Sequence, residues 1–248
     1  MTSAEHFDRW YAEMTSSPAA DDLVRRTLEL PPDLESTSLL SGPGLDEVAA
    51  FLALRPGEVL LDLACGRGGY GREVARRASC SVIGVDFSAV AVSQALSRGG
   101  DFRVGTLEAC GLPDASVDAV MVVDALQFAD SKPAVVGECR RVLRPGGRLA
   151  VTCWEAVDPA DETVPRQFRD LDLARRLPEA GFVDVSVADR PEWRVSERRM
   201  WEEALATDAA GDPAMVSMQE EARRVLAVFE RRRRVLATAS VPETVRPA

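Results

Sequence analysis

Residues 60–71 read LLDLACGRGGYG, and this stretch concentrates the residue types that hold a nucleotide-like ligand. Gly66, Gly68 and Gly71 stand at the spacing G-x-G-x-x-G. In that spacing the backbone turns tightly and offers N–H groups to a ligand at a helix N-terminus. Asp86 follows Gly66 by about 20 residues, the interval at which an acid accepts ribose hydroxyls. Asp62 lies just ahead of Gly66. Its carboxylate would repel a pyrophosphate at close range in a poorly screened cleft, so the loop does not suit NAD. A ligand with a ribose and a positive charge satisfies both acids. S-adenosylmethionine (SAM), which has an ammonium, a sulfonium and no phosphate, is such a ligand.

These residues need a scaffold that brings strand ends together. Short apolar runs alternate with amphipathic stretches: VLLDLA, SVIGVD, DFRVG, DAVMVVD and GRLAVTCW read as strands. YGREVARRA, AVAVSQALSR and KPAVVGECRRVL read as the helices between them. Continuous β-rich runs separated by helices predict an α/β fold, a doubly wound and mostly parallel sheet covered on both faces. Ahead of it, Phe7, Trp10, Tyr11 and Met14 repeat at i, i+3, i+4 and i+7, which predicts a helix over about 4–14. Two more helices are predicted over about 20–29 and 45–54, with a Pro- and Ser-rich loop between them. A helix over 166–180 and a strand over 183–189 follow the core. Two helices, SERRMWEEALAT and PAMVSMQEEARRVLAVFE, precede a last strand. The expected organisation is an N-terminal helical lid at 1–54 and a Rossmann-like core at 55–188. A helical insertion at 189–231 and a closing strand with a tail at 232–248 complete it.

VLLDLACGRGGYGREVA resembles the first motif of class I SAM-dependent methyltransferases, and VIGVDFSAVAVSQA resembles the acidic ribose motif that follows it. LPDASVDAVMVVDALQFAD and ECRRVLRPGGRLAVTCW resemble the family's fourth- and fifth-strand segments, in the family's order and spacing across residues 58–154. The resemblance implies a seven-stranded sheet whose last strand, about 232–240, lies antiparallel beside the fifth. It implies that Asp62, Ala64, Cys65, Gly66 and Gly68 border the amino-acid end of SAM and that Asp86 holds the ribose. Phe87 lies beside the adenine or packs behind the helix. Thr106 falls where the family often has an acid against the adenine amine, with Glu108 as a substitute, and Leu107 sits at the adenine edge. Asp124, Gln127 and Phe128 follow the fourth strand and face the methyl donor or the acceptor, where ligands of such sheets sit. Asp118, at the opposite strand end, reads as structural. Trp154 and Trp193 are assigned to the acceptor's pocket. Trp193, Met200, Trp201, Met215 and Met218 have two readings: walls of an apolar pocket, or the underside of two packed helices. Trp10 and Tyr11 likewise belong to a lid over the cofactor or to ordinary packing.

The implied activity is methyl transfer to O, N or C of a small, partly apolar molecule, with a setting in secondary metabolism. The candidates for a base are Asp124, His6 and Tyr11. Two other functions are consistent with the same motifs: a SAM-binding protein that catalyses a non-methylating step such as a cyclisation, and a SAM-binding partner subunit. A formal net charge of −10 over 248 residues disfavours nucleic acid as partner. One histidine and five unpaired-looking cysteines offer no metal site, and Cys65 reads as packing. No apolar run reaches the ~18 residues of a membrane span and no signal peptide is evident, so a cytoplasmic protein is expected, with association as a homodimer compatible. The arginine run at 231–234 is read as a solvated helix end running into the last strand.

Overall fold

The computed structural model describes residues 4–14, 17–35 and 38–243. Seven strands form one sheet in the order β3-β2-β1-β4-β5-β7-β6. They are β1 (Val59–Leu63), β2 (Ser81–Asp86), β3 (Asp101–Val104), β4 (Val117–Val123), β5 (Leu143–Ala156), β6 (Val183–Asp189) and β7 (Arg232–Ser240). The first five are parallel, and β7 runs antiparallel between β5 and β6, as the resemblance implies. The β-rich runs become central strands because both faces are covered. Alternation divides them: Leu60 and Met121 enter one core, while Leu61, Leu63, Val120 and Val122 enter the other.

The helices are α1 (Ala4–Met14), α2 (Pro18–Thr27), α3 (Gly42–Leu52), α4 (Gly69–Ala78), α5 (Ala89–Leu96), α6 (Lys132–Val142), α7 (Leu173–Glu179), α8 (Pro191–Ala206) and α9 (Pro213–Ala227). Side chains cap several of them: Ser41 accepts from Gly44 N, Ser88 from Ala91 N and Asp212 from Ala214 N. The helix predicted over 166–180 is broken. A 3₁₀ turn at Arg166–Phe168 is followed by Asp172 in the left-handed region, and only then does α7 begin. Strand β5 is longer than predicted, starting at Leu143 and carrying the Pro-Gly-Gly segment within it.

The insertion is part of the main core. Trp193, Met200, Trp201, Met215 and Met218 share one apolar cluster with Leu23 and Val24 of α2 and Leu45 and Val48 of α3. Trp193 is the pivot. It is 2% exposed, its indole N–H donates to Glu47 at 3.0 Å, and its ring lies against Gly44. A Cβ on Gly44 would come within 3.0 Å of that ring, so the glycine admits the indole. Trp193→Ala is expected to cost about 3–5 kcal/mol of stability through the cavity it leaves. Urea unfolding checks this, with S-adenosylhomocysteine affinity as the reference that should stay within a few-fold.

Candidate functional site

The site lies beyond the carboxyl ends of β1, β2 and β4, where the sheet's order reverses direction between β1 and β4. At the end of β1 the chain turns through Ala64, whose N–H donates to Val85 O at 2.7 Å. Gly68 then takes φ +76° as the N-cap of α4. Only glycine accommodates this cheaply, and a Cβ there would also strike Phe102. One turn on, Gly71 N donates to Asp62 Oδ2 at 3.1 Å, and a Cβ on Gly71 would lie 2.6 Å from that oxygen. The third glycine of the spacing therefore brings α4 down onto a carboxylate. Asp86 is fixed by Gly66 N at 2.8 Å and Ser88 N at 2.9 Å, one bond to each oxygen.

A cavity of about 210 Å³ opens over these groups. It is bordered by Asp62, Ala64, Cys65, Asp86, Phe87, Thr106, Leu107 and Asp124, together with Phe7, Trp10 and Tyr11 of α1. Phe7 packs edge-on to Phe87 at 5.2 Å and Phe128 at 6.0 Å, so α1 forms a wall of the cavity. Asp8 anchors that helix by accepting from Ser88 Oγ and Val90 N. Gly66 and Gly68 shape the loop but do not line the cavity. Thr106 Oγ1 accepts from Ala109 N at 3.1 Å, and Glu108 accepts from Asp130 N at 3.0 Å at the entry to α6, so both side chains also serve local turns. The side chain of His6 lies outside the described residues.

Burial sets the electrostatics. It pushes the Asp62 carboxyl up to about 7, with Asp86 adding to the rise and Gly71 N–H opposing it. Asp86 is raised for the same first reason, with Ser88 and Gly66 N–H opposing and the Asp8 charge adding. Two buried acids side by side favour a cationic occupant. Burial also pushes the Cys65 thiol up, which leaves it a poor nucleophile and fits a packing role.

A second cavity, about 350 Å³, meets the first at Phe7, Trp10, Ser38, Asp124 and Phe128. Its walls are Trp154, Phe168, Met200, Trp201 and Met218, with Glu197, Glu221, Arg224 and Arg232 among them. Of the residues given two readings, Met200, Trp201 and Met218 line this space, while Trp193 and Met215 are core only. The expected substrate contact at Trp193 is therefore corrected, because its indole is turned onto α3. Gln127 is corrected too: it is fully buried, donates to Asp124 O at 2.6 Å, and reaches neither cavity.

Asp124 borders both cavities yet is poorly placed as a base. Oδ1 accepts from Thr152 Oγ1 at 2.7 Å and Arg234 Nη2 at 2.9 Å. Oδ2 accepts from Ser38 Oγ at 2.5 Å and Leu39 N at 3.2 Å. A carboxylate has about four acceptor directions, and all are spent. Arg234 is 0% exposed, stacks 4.0 Å over Trp154, and also faces Glu197 at 3.8 Å. The solvated reading of the arginine run thus fails at Arg232 and Arg234, both buried on one face of β7. Period-2 alternation within the predicted strand was the available signal. Sequence reasoning also passed over Ser38, Tyr70 and Glu197. Tyr70 donates to Leu40 O at 2.6 Å and lines the first cavity.

Fold and site together define a Rossmann-like methyltransferase domain, and residues 61–151 match the family model described as methyltransferase domain. Over that segment the chain is similar to class I SAM-dependent methyltransferases. It is 34% identical over 141 residues to a sterol 24-C-methyltransferase of Eremothecium gossypii, a match covering 52% of this chain and 38% of that protein. The chain thus spans well under half the length of that relative. Its fold superposes on phosphoethanolamine N-methyltransferase 2 of Haemonchus contortus with a TM-score of 0.74 at 18% identity, over 92% of this chain and 61% of that one. The [4+2]-cyclase SpnF superposes with a TM-score of 0.72 at 21% identity, over 97% of each chain. Among the described residues no helix is long and apolar enough to cross a membrane.

Two outcomes follow from the buried charges. Because Asp62 titrates near 7 when folded and near 3.8 when unfolded, its ionisation costs stability. Its stabilising contribution is complete below about 4 and lost as pH rises through about 7. The thermal midpoint of ligand-free protein should fall over that window, and Asp62→Asn should flatten the fall. Arg234→Met strands the Asp124 charge and is expected to cost about 3–5 kcal/mol, read by urea unfolding.

Proposed function

We propose that this protein transfers a methyl group from SAM to O, N or C of a small, partly apolar molecule, in secondary metabolism. The observation that carries the reading is the pair of joined cavities, one over two buried carboxylates and one walled by aromatic and thioether side chains. Bound SAM supplies a methyl group already activated by the sulfonium charge. Asp62 takes the ammonium end with Ala64 and Cys65 beside it, Asp86 takes the ribose, and Phe87, Thr106 and Leu107 enclose the adenine. The acceptor enters from the second cavity and meets the methyl group near Ser38, Asp124 and Phe128. Phe7 and Trp10 exclude water from the junction, and Tyr11 closes the first cavity beside it. Alignment of the acceptor against the methyl is worth up to about 7–11 kcal/mol of barrier, which leaves little for a base to add. Tyr11, on the wall of the first cavity, is the described side chain suited to that smaller part.

Incubation with methyl-labelled SAM and a panel of small apolar O, N and C nucleophiles tests the reading. Label should pass into the organic extract with one S-adenosylhomocysteine released per product. Asp86→Ala should weaken S-adenosylhomocysteine binding by about 1–3 kcal/mol in calorimetry. Product formed without S-adenosylhomocysteine release would assign the protein to non-methylating chemistry, and tight NAD binding would overturn the cofactor.

A further inference from the structure

Arg232 is a buried arginine with no hydrogen-bonded or ion-paired carboxylate among the described residues. It is 7% exposed, lines the second cavity, and its guanidinium lies 4.9 Å over the Phe168 ring. Its Nε is buried with no hydrogen-bond partner, and no described carboxylate comes within ion-pair reach of it. Two of the neighbouring acids are committed elsewhere. Glu197 accepts from Trp154 Nε1 at 2.8 Å and Trp201 Nε1 at 3.5 Å and faces Arg234. Asp124 is saturated by Arg234, Thr152, Ser38 and Leu39. Glu221 and Arg224 stand on α9 at the cavity wall, and the Glu221 charge acts on Arg232 without forming an ion pair with it. A buried guanidinium without an anion is expensive, since removing a cation from water is repaid only by a hydrogen-bonded counter-charge.

We propose that Arg232 is a specificity-determining residue that binds a carboxylate on the acceptor, so that the preferred acceptor is an amphiphilic acid. Its apolar body lies among Phe168, Met200, Trp201 and Met218, and its carboxylate meets the planar fork of Arg232. Burial lowers the proton affinity of Arg232, and the charges of Glu197 and Glu221, neither hydrogen-bonded to it, oppose that only in part. The inference rests on the second cavity being the acceptor site of the reading above.

The test is calorimetry on full-length protein saturated with S-adenosylhomocysteine, titrated with naphthylacetate and with its neutral twin naphthylacetamide. The acid should bind roughly 10- to 100-fold more tightly than the amide. Arg232→Gln should erase that preference, and Arg232→Lys should keep part of it, while both variants retain S-adenosylhomocysteine affinity. Equal binding of acid and amide by the unaltered protein, binding of neither, or a preference that survives Arg232→Gln would overturn the proposal. The comparison on unaltered protein decides it even if a variant does not fold. Displacement of the acid by an equal concentration of inorganic phosphate would overturn the carboxylate assignment in favour of a general anion site. Loss of S-adenosylhomocysteine binding in the unaltered protein would instead sink the cofactor reading, which separates the two failures.

Discussion

Two opposite charges removed from water together, Asp124 and Arg234, hold the functional end of this molecule in register. Their side chains are 2% and 0% exposed. Neither could be buried alone, because an ion stripped of its hydration is tolerated only with a close, hydrogen-bonded partner. The pair ties the end of β4 to β7, Thr152 brings in β5, and Ser38 with Leu39 N brings in the loop before α3. Glu197 extends the network to α8 and carries the Trp154 indole. Four parts of the chain thus meet on one carboxylate, and Arg234 links a fifth to it. The junction between the two cavities is a by-product of that meeting, since Asp124 and Ser38 face both.

The cofactor-side cavity follows a different rule, that of close approach. Gly71 lets α4 settle on Asp62, and Gly68 turns the loop clear of Phe102. The result is a carboxyl whose ionisation is opposed by burial and by a second acid nearby. Such a site stores unfavourable free energy in the ligand-free state that a cation can release on binding. The acceptor side is built from larger, softer side chains contributed by elements far apart in sequence. These adapt to a ligand more readily than a glycine turn does.

The legibility of these two halves in the sequence differs for a physical reason. Local chemistry was readable. The bounds of β2 and β6 and the positions of Asp62 and Asp86 follow from β-rich runs, turn glycines and the spacing of acids at strand ends. Long-range placement was not. Trp193 and Met215 carry the same apolar signature as Trp201 and Met218, and only the direction of each side chain from α8 and α9 separates core from cavity. The charge run at 231–234 misled because composition suggests solvent, whereas a strand sends alternate residues to opposite faces. Arg233 does reach a partner at the partly open edge, Glu155, while Arg232 and Arg234 turn inward. The broken helix at 166–180 failed for a local reason: Asp172 adopts a left-handed backbone that periodicity does not reveal.

The position of β7 has a consequence for how the chain assembles. In the order β5-β7-β6, the strand made last is the one that fills the gap between two made earlier. Until it arrives, β6 has no neighbour to pair with and β5 has an open edge, a state prone to pairing with other chains. The same strand delivers Arg234, so the Asp124 carboxylate has no counter-charge while the gap is open. Closing the sheet and neutralising its centre are therefore one event. A growing chain that has emerged only as far as β6 therefore cannot dehydrate its own middle, which delays commitment to the native state until β7 is made.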